Sequence, residues 1–452
     1  MGTPLPLVAM IQRPADVDDD RERVALDCLT AGITAADPAT AVAERLSLSD
    51  DTLCIDGDHY DLAAYEDVYV IGGGNAAGVL AAAIEDVLGE HLTDGAVVTD
   101  NPVETDRVAV LPGDHPVPSG RGVEGAERVL ELARRADAAD LVIGVITGGG
   151  SALLPAPADG LDLAALQRTT EAVLASGADI GEFNAIRKHC SAIKGGQLAR
   201  AAHPATVVGL LVSDVIGNRL DVIASGPLTP DTSTYADALS VLERYDVDAP
   251  DAVWAWLRAG ADGELPETPS PGDPVFEAVT QYILADVMRA LEGAAAAASD
   301  AGYDPLILSS RVRGEASEAA KVLAGVAEEA AATGTPVEPP AVVLTGGETT
   351  VTVTGDGWGG PNQEFALSAA VELENPAITV ASADTDGIDG GSDAAGGVAT
   401  AEDVATVAEE ARAALATNDA GGFLDEHGGL IVTGPTNTNV NDLRAFVVPA
   451  AE

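Results

Sequence analysis

Six short apolar runs in this chain each stop at glycines or small polar residues, and that punctuation constrains the fold class most. Val68-Tyr69-Val70-Ile71 ends in Gly72-Gly73-Gly74, and Leu141 to Ile146 ends in Thr147-Gly148-Gly149-Gly150-Ser151. Val207 to Val212 ends in Ser213-Asp214, and Ala341 to Leu344 ends in Thr345-Gly346-Gly347-Glu348. Ala377 to Ala381 runs into an aspartate-rich loop, and Leu430-Ile431-Val432 ends in Thr433-Gly434-Pro435. Runs of this length, closed by turn residues, read as buried strands of a parallel sheet. Amphipathic helical stretches, such as Ala76 to Leu88, lie between them. The pattern predicts an α/β protein with ligand loops at the carboxyl ends of its strands.

The Asp-, Pro- and Gly-rich text at 251–273 reads as a linker. It predicts an N-terminal domain over 1–250 and a C-terminal domain over 274–452, the second opening on a long helix from Pro274 to Ala301. Strands end in glycine loops in both halves, so a cleft between two domains is the expected site.

Charge narrows the partners. Lys and Arg number 23 and Asp and Glu 73, a net charge of −50. No basic face is available to neutralise nucleic-acid phosphates, and anionic membranes are disfavoured for the same reason. The 46% hydrophobic content excludes an acidic disordered chain. A carboxylate-rich surface with few lysines predicts the cytoplasm of a salt-accumulating halophile, where salt screens the self-repulsion. Cys28, Cys54 and Cys190 show neither metal spacing nor a disulfide framework. Met1 to Ile11, broken by Pro4 and Pro6, reads as neither a signal peptide nor a membrane span. Monomer and homodimer both stay open.

Against that background the lysines stand out. There are three, and Lys188 and Lys194 share the segment Phe183 to Gly196 with Arg187. Lys321 reads as an exposed helix position. Arg187, Lys188 and Lys194 beside Gly195-Gly196 suit an anion, with ordinary pairing to carboxylates as the competing reading. The best phosphate-loop candidate is Gly148-Gly149-Gly150-Ser151, where backbone N–H groups, a following helix and the Ser151 hydroxyl would meet an oxyanion. It lacks the Gly-Lys-Ser/Thr ending of a Walker loop. Gly72-Gly73-Gly74-Asn75 matches a dinucleotide fingerprint only permissively, and Asp94 is poorly placed to read a ribose. Asp214 ends a strand. Asp384, Asp386, Asp389 and Asp393 crowd one loop that could serve Mg2+, which needs only one or two carboxylates. Together these features support phosphoryl transfer.

Read in order, the phrases resemble the glycerate 2-kinase family with a MOFRL-type C-terminal domain. They include His115-Pro116-Val117-Pro118, Thr147 to Leu154, Asn184 to Gly196, Ala224-Ser225-Gly226-Pro227 and Gly359-Gly360-Pro361-Asn362-Gln363-Glu364. Thr385 to Gly390 and Thr433 to Asp442 continue the series. The resemblance implies a Rossmann-like N-terminal domain, a smaller C-terminal α/β domain, and ATP- and Mg2+-dependent phosphorylation of D-glycerate to 2-phosphoglycerate. It implies that Asn184, Arg187 and Lys194 bind the glycerate carboxylate or polarise phosphate. Gly148, Gly149, Gly150 and Ser151 would meet an anionic group, with Asn75, Glu348 and Asn362 also at substrate or phosphate. Asp214, Asp386 and Asp389 would handle the substrate hydroxyl or the metal, Asp386 and Asp389 as Mg2+ ligands. Two positions depart from the family's phrases: Asn75 replaces a Lys and Pro361 an Arg. Arg187, Lys188, Lys194 or bound K+ would supply the missing charge. The alternatives are an NAD(P)H-dependent hydroxypyruvate reductase and a non-catalytic phosphometabolite-binding homologue.

Overall fold

The computed structural model describes residues 19–450. The Met1 to Ile11 reading falls outside them. Among the described residues no helix is long and apolar enough to cross a membrane. The described residues form two compact units, one over 41–284 and a second built from 19–40 with 285–450.

The first unit opens with a small antiparallel meander, β1 (Leu46–Ser49), β2 (Thr52–Ile55) and β3 (Asp58–Asp61). Its main sheet contains β4 (Val68–Gly73), β5 (Asp94–Thr99), β6 (Val108–Pro112), β7 (Leu141–Ile146), β8 (Thr206–Val212) and β9 (Val279–Ala285). The order is β6-β5-β4-β7-β8-β9, and the pairs from β6 to β8 are parallel. Every residue of β4 and β7 is buried, as a strand covered on both faces requires. The chain winds outward from β4 to β6, then returns to the other side of β4 as β7. That reversal is a topological switch point, where α/β sheets bind ligands. Four helices, Leu163–Ser176, Ile180–His189, Tyr235–Arg244 and Asp251–Ala261, contribute to a separate apolar cluster beside the sheet.

The expected linker is not one. Helix Asp251–Ala261 occupies its start and buries Val253 and Leu257. Further on, Thr268 and Pro269 are buried, and the Pro269 carbonyl accepts from Asp231 N at 2.8 Å. The expected helix over 274–301 is instead a short 3-10 turn, β9 and helix Val287–Asp300. The run Val279-Thr280-Gln281-Tyr282-Ile283 favours a strand. Asp286 then restarts the helix, its carboxylate accepting from Arg289 N at 3.0 Å.

The second unit's sheet contains β10 (Asp304–Glu315), β11 (Ala341–Thr350), β12 (Thr379–Asp384), β13 (Gly396–Thr400), β14 (Leu430–Ile431) and β15 (Asp442–Val448). Its order is β10-β11-β15-β12-β13-β14, and only β10 and β11 run parallel. The central strands β12 and β15 are nevertheless buried along almost their whole length, polar residues included, because helices cover both faces. Ala316–Thr333 and Pro361–Glu372 lie on one side, with Val343, Val380 and Phe446 beneath them. Helices Asp20–Ala35 and Val287–Asp300 pair on the other. Helix Asp20–Ala35 thus packs within this unit, whereas the sequence pattern expected it in an N-terminal domain over 1–250. A Cβ on Gly32 would come within 2.8 Å of the Ala290 carbonyl, and one on Gly293 within 2.8 Å of the Ala31 carbonyl. Glycine at these positions lets the two backbones approach.

Candidate functional site

In the first unit both glycine loops lie at the switch point, one after β4 and one after β7. They interlock: Asn75 N donates to the Gly148 carbonyl at 2.8 Å and Ala76 N to Thr147 Oγ1 at 3.2 Å. Each glycine of the second loop meets a different neighbour. A Cβ on Gly148 would fall 2.2 Å from Asp214 Oδ2, and one on Gly149 1.9 Å from Asn75 Oδ1. One on Gly150 would fall 2.7 Å from the Ala224 Cβ. Close approach of three other loops therefore demands these glycines, and Gly149 also has a φ of 73°. The helix that follows is a single turn, Gly150–Leu153, so the dipole expected there is small.

Four segments build the pocket wall, around Pro116, Ser151, Thr169 and Arg187. Helix Ile180–His189 starts at a capping box, in which Asp179 accepts from Glu182 N and Glu182 accepts from Asp179 N. Its last turn carries Arg187, Lys188 and His189, favourable at a helix C-terminus. Successive helix residues point about 100° apart, and this separates the two cations. Lys188 turns inward to a 3.1 Å ion pair with Asp231. Burial alone would raise the Asp231 carboxyl. The Lys188 charge and hydrogen bonds from Ser233 outweigh it and hold the group below its usual value. Lys188 is therefore structural, and the ion-pairing reading holds for it. His189 is likewise engaged, its ring nitrogens meeting the Ala185 carbonyl at 2.7 Å and Glu267 at 3.1 Å.

Arg187 and Lys194 remain, and they line one pocket with Pro116, Pro118, Phe183 and Ser191. Neither makes an ion pair among the described residues. The Arg187 guanidinium stacks 3.6 Å from the centre of the Phe183 ring. Lys194 Nζ donates to the Leu154 carbonyl at 2.9 Å. Burial lowers Arg187 to about 10. Burial, with the Arg187 charge added, lowers Lys194 to about 7. Ser151, on the same wall, lies 2.7 Å from Ser225, whose hydroxyl donates to Asn184 Oδ1 at 3.0 Å. Ser151 must then donate to Ser225, so its proton is held within the protein. Ser225 sits in a left-handed stretch, with φ 49° at Ala224 and 61° at Ser225. Such strain in non-glycine residues collects at functional sites. Ser225 lies in the Ala224-Ser225-Gly226-Pro227 phrase, where nothing in the local pattern marks it as a site residue. Asp214 follows β8, half-buried against Gly148, and burial pushes its carboxyl up to about 6.

The second unit carries the opposite charge. Asp384 and Asp442 face each other across β12 and β15. Asp384 Oδ1 accepts from Asp386 N at 3.1 Å. Burial first, then the charges of Asp386 and Asp442, raises Asp384 well above the carboxylate range, and burial raises Asp386 too. Asp389 serves differently from its expected metal role. Its oxygens accept from Asn362 N at 3.0 Å and Gln363 N at 2.8 Å, capping helix Pro361–Glu372. Burial still raises it to about 7. Asn362 is also spoken for: its Nδ2 donates to Asp389 and Asp442, and its Oδ1 accepts from Ser382 at 2.5 Å. Glu348 is exposed at the end of β11, 3.4 Å from Asn441 Nδ2. Asp393 is exposed. Its expected place in the cluster is taken by Asp442, about 50 residues further along the chain. Buried Arg444 pairs with Asp442 and donates to Thr349 Oγ1 at 2.8 Å. Among the described residues no three His, Cys, Asp or Glu side chains are grouped to hold a metal ion.

Residues 24–258 match a family model described as a domain of unknown function, and 341–442 match the MOFRL family. A glycerate 2-kinase from Pyrococcus horikoshii is 38% identical over 437 residues, covering 95% of this chain and 98% of the relative. A D-glycerate 2-kinase from Thermotoga maritima is 40% identical over 385 residues, with 83% and 89% covered. The chain belongs to the glycerate 2-kinase family. The crystal structure of the Thermotoga maritima glycerate kinase superposes with a TM-score of 0.84 at 36% identity, covering 94% of this chain and 99% of that one. A family relative from Agrobacterium vitis, 40% identical with 92% of each chain covered, carries a provisional hydroxypyruvate reductase name.

The two departures from the family phrases have distinct surroundings. Asn75 Nδ2 donates to Asp100 Oδ2 at 2.7 Å, tying the first glycine loop to the end of β5. Pro361 occupies the first turn of helix Pro361–Glu372, where its missing N–H costs nothing.

Proposed function

We propose that this chain is a glycerate 2-kinase that transfers the γ-phosphoryl group of ATP to the 2-hydroxyl of D-glycerate. One observation carries the reading: Arg187 and Lys194 are cations in one pocket without a carboxylate partner, in a chain with 73 acids. Buried charge is normally paired, so the missing partner is an anionic ligand. Arg187 and Lys194 hold the glycerate carboxylate or the migrating phosphoryl group, with Asn184 and the Gly148 to Ser151 loop beside them. Asp214, titrating near 6, is mostly ionised at neutral pH and takes the proton of the 2-hydroxyl as its oxygen attacks the γ-phosphorus. The new P–O bond forms as the bond to the β-phosphate oxygen breaks, and ADP leaves.

Asp384 and Asp386 suit a Mg2+ ion that keeps most of its waters, since burial disfavours both carboxylate charges and a cation would offset that. Such an ion would supply charge neutralisation for the nucleotide phosphates. Asp386 keeps its expected role in this reading and Asp389 does not. The acidic surface fits the cytoplasm of a salt-accumulating halophile, and loss of structure in dilute buffer is the expected result. Full activity without salt would remove that part.

The deciding assay combines D-glycerate, ATP and Mg2+ in about 2–3 M KCl, enough to screen the charge, with phosphorus NMR of the product. A 2-phosphoglycerate signal is expected, with no NAD(P)H consumed on hydroxypyruvate. A folded protein that forms no phosphoglycerate would overturn the proposal.

A further inference from the structure

A second cavity, of about 430 Å3, lies in the first unit and shares Ser191 with the Arg187/Lys194 pocket. Its volume is that of a metabolite site. Arg134, from helix Gly120–Arg135, and Arg200, from the packed helix Gln197–Ala202, both line it. Arg134 is exposed and makes no hydrogen bond or ion pair among the described residues. Arg200 spends Nη2 on the Glu267 carbonyl at 2.7 Å and Nη1 on Gln197 at 3.4 Å, and pairs with no carboxylate. The two guanidinium groups thus face one cavity without an ion pair to a carboxylate among the described residues, donors free to meet an anion. Trp256, Leu265 and Pro266 add apolar lining. The Trp256 indole is fixed by its Nε1 donating to the His189 carbonyl at 2.8 Å. Asp159 adds one acceptor suited to hydroxyl groups.

We infer that this cavity is a binding site for a small phosphorylated metabolite with a ring body, of nucleoside-monophosphate type, separate from the substrate pocket. The phosphate meets Arg134 and Arg200, the sugar hydroxyls meet Asp159, and the ring lies on Trp256. The cavity also touches the turn that sets Lys194. Gln197 Nε2 donates to the Ser191 carbonyl at 2.5 Å, and Ser191 Oγ accepts from Ile193 N and Lys194 N at 3.2 and 3.3 Å. An anion that draws Arg200 away from Gln197 acts on this turn.

Calorimetric titration of the full chain with AMP, in the salt that keeps it folded, tests the site whether or not the chain phosphorylates glycerate. Saturable binding that persists with saturating D-glycerate and ATP is expected, weakened at least tenfold in Arg134→Gln. Trp256→Phe is expected to weaken it less, leaving inorganic phosphate binding unchanged. Arg134→Gln leaves turnover without AMP unchanged. No saturable binding, displacement by ATP, or equal affinity in Arg134→Gln would each overturn the inference.

Discussion

The segment Asn184 to Gly196 and the cluster around Asp384 are electrostatic opposites arranged on the same rule. In the first, Lys188 is paired with Asp231, while Arg187 and Lys194 have no countercharge. In the second, Asp442 is paired with Arg444 and Asp389 with a helix N-terminus, while Asp384 and Asp386 make no ion pair among the described residues. Each region thus contains charges that hold the fold and charges that await something. Burial alone does not distinguish the two kinds; the presence of a partner does. Phosphoryl transfer needs both unsatisfied signs, cations for the anionic substrates and carboxylates for metal and proton.

The largest effects should come from breaking the paired charges. Arg444→Met leaves Asp442 buried without its countercharge, held only by Asn362 and Thr349 N, and should cost about 3–5 kcal/mol of stability, read by denaturant unfolding in high salt. Lys188→Met should cost a similar amount by stranding Asp231, and adding Asp231→Leu should recover much of it. A loss under about 1 kcal/mol in either single variant would erase the distinction between the two kinds of charge.

Removing an unpaired charge should do the reverse. Lys194→Ala and Arg187→Ala should each lower kcat/KM by about 10²–10³-fold, with the unfolding midpoint unchanged or raised. Near-normal turnover in either would remove the pocket from the mechanism.

The pH dependence sharpens the same point. Lys194 loses its charge as pH rises through about 7, so kcat/KM should fall above that pH, about tenfold per unit. Asp214 should set the acid limb near 6, and Lys194→Arg should abolish the basic limb alone. Stability moves the other way. Between about 7 and 10.5 the unfolded chain binds the Lys194 proton and the folded chain does not. The contribution of Lys194 to stability therefore rises with pH across that window.

The smallest effect belongs to Asn75→Lys, which restores the family's charge beside Asp100. An exposed pair of this kind is worth under about 1 kcal/mol, so the KM for ATP should fall no more than about fivefold.

Much of this was legible in the residues themselves. The apolar runs closed by small residues located β4, β7, β8, β11 and β12, because strands covered on both faces are mostly apolar, but β15 carries buried Asp442 and Arg444 and showed no such run. Scarce lysine in an acidic chain marked the segment that builds the pocket. The glycines at 148–150 were visible, though not the three neighbours that require them. Helix 251–261 was hidden by flanking Pro and Asp, although Val253, Trp254 and Leu257 keep helical spacing.

Sequence by itself thus determined the α/β class, the family and the short list of charged residues, since these rest on local pattern and composition. Only the tertiary structure decided that Lys188 meets a carboxylate and Asp389 a helix N-terminus, while Lys194 and Asp384 meet only single backbone groups. It also brought Asp442 to Asp384, placed Ser225 between Ser151 and Asn184, and sent the first helix to the second unit. The reason is physical. A charge's role depends on what lies within a few ångströms of it, and strand register and helix facing bring together residues far apart along the chain.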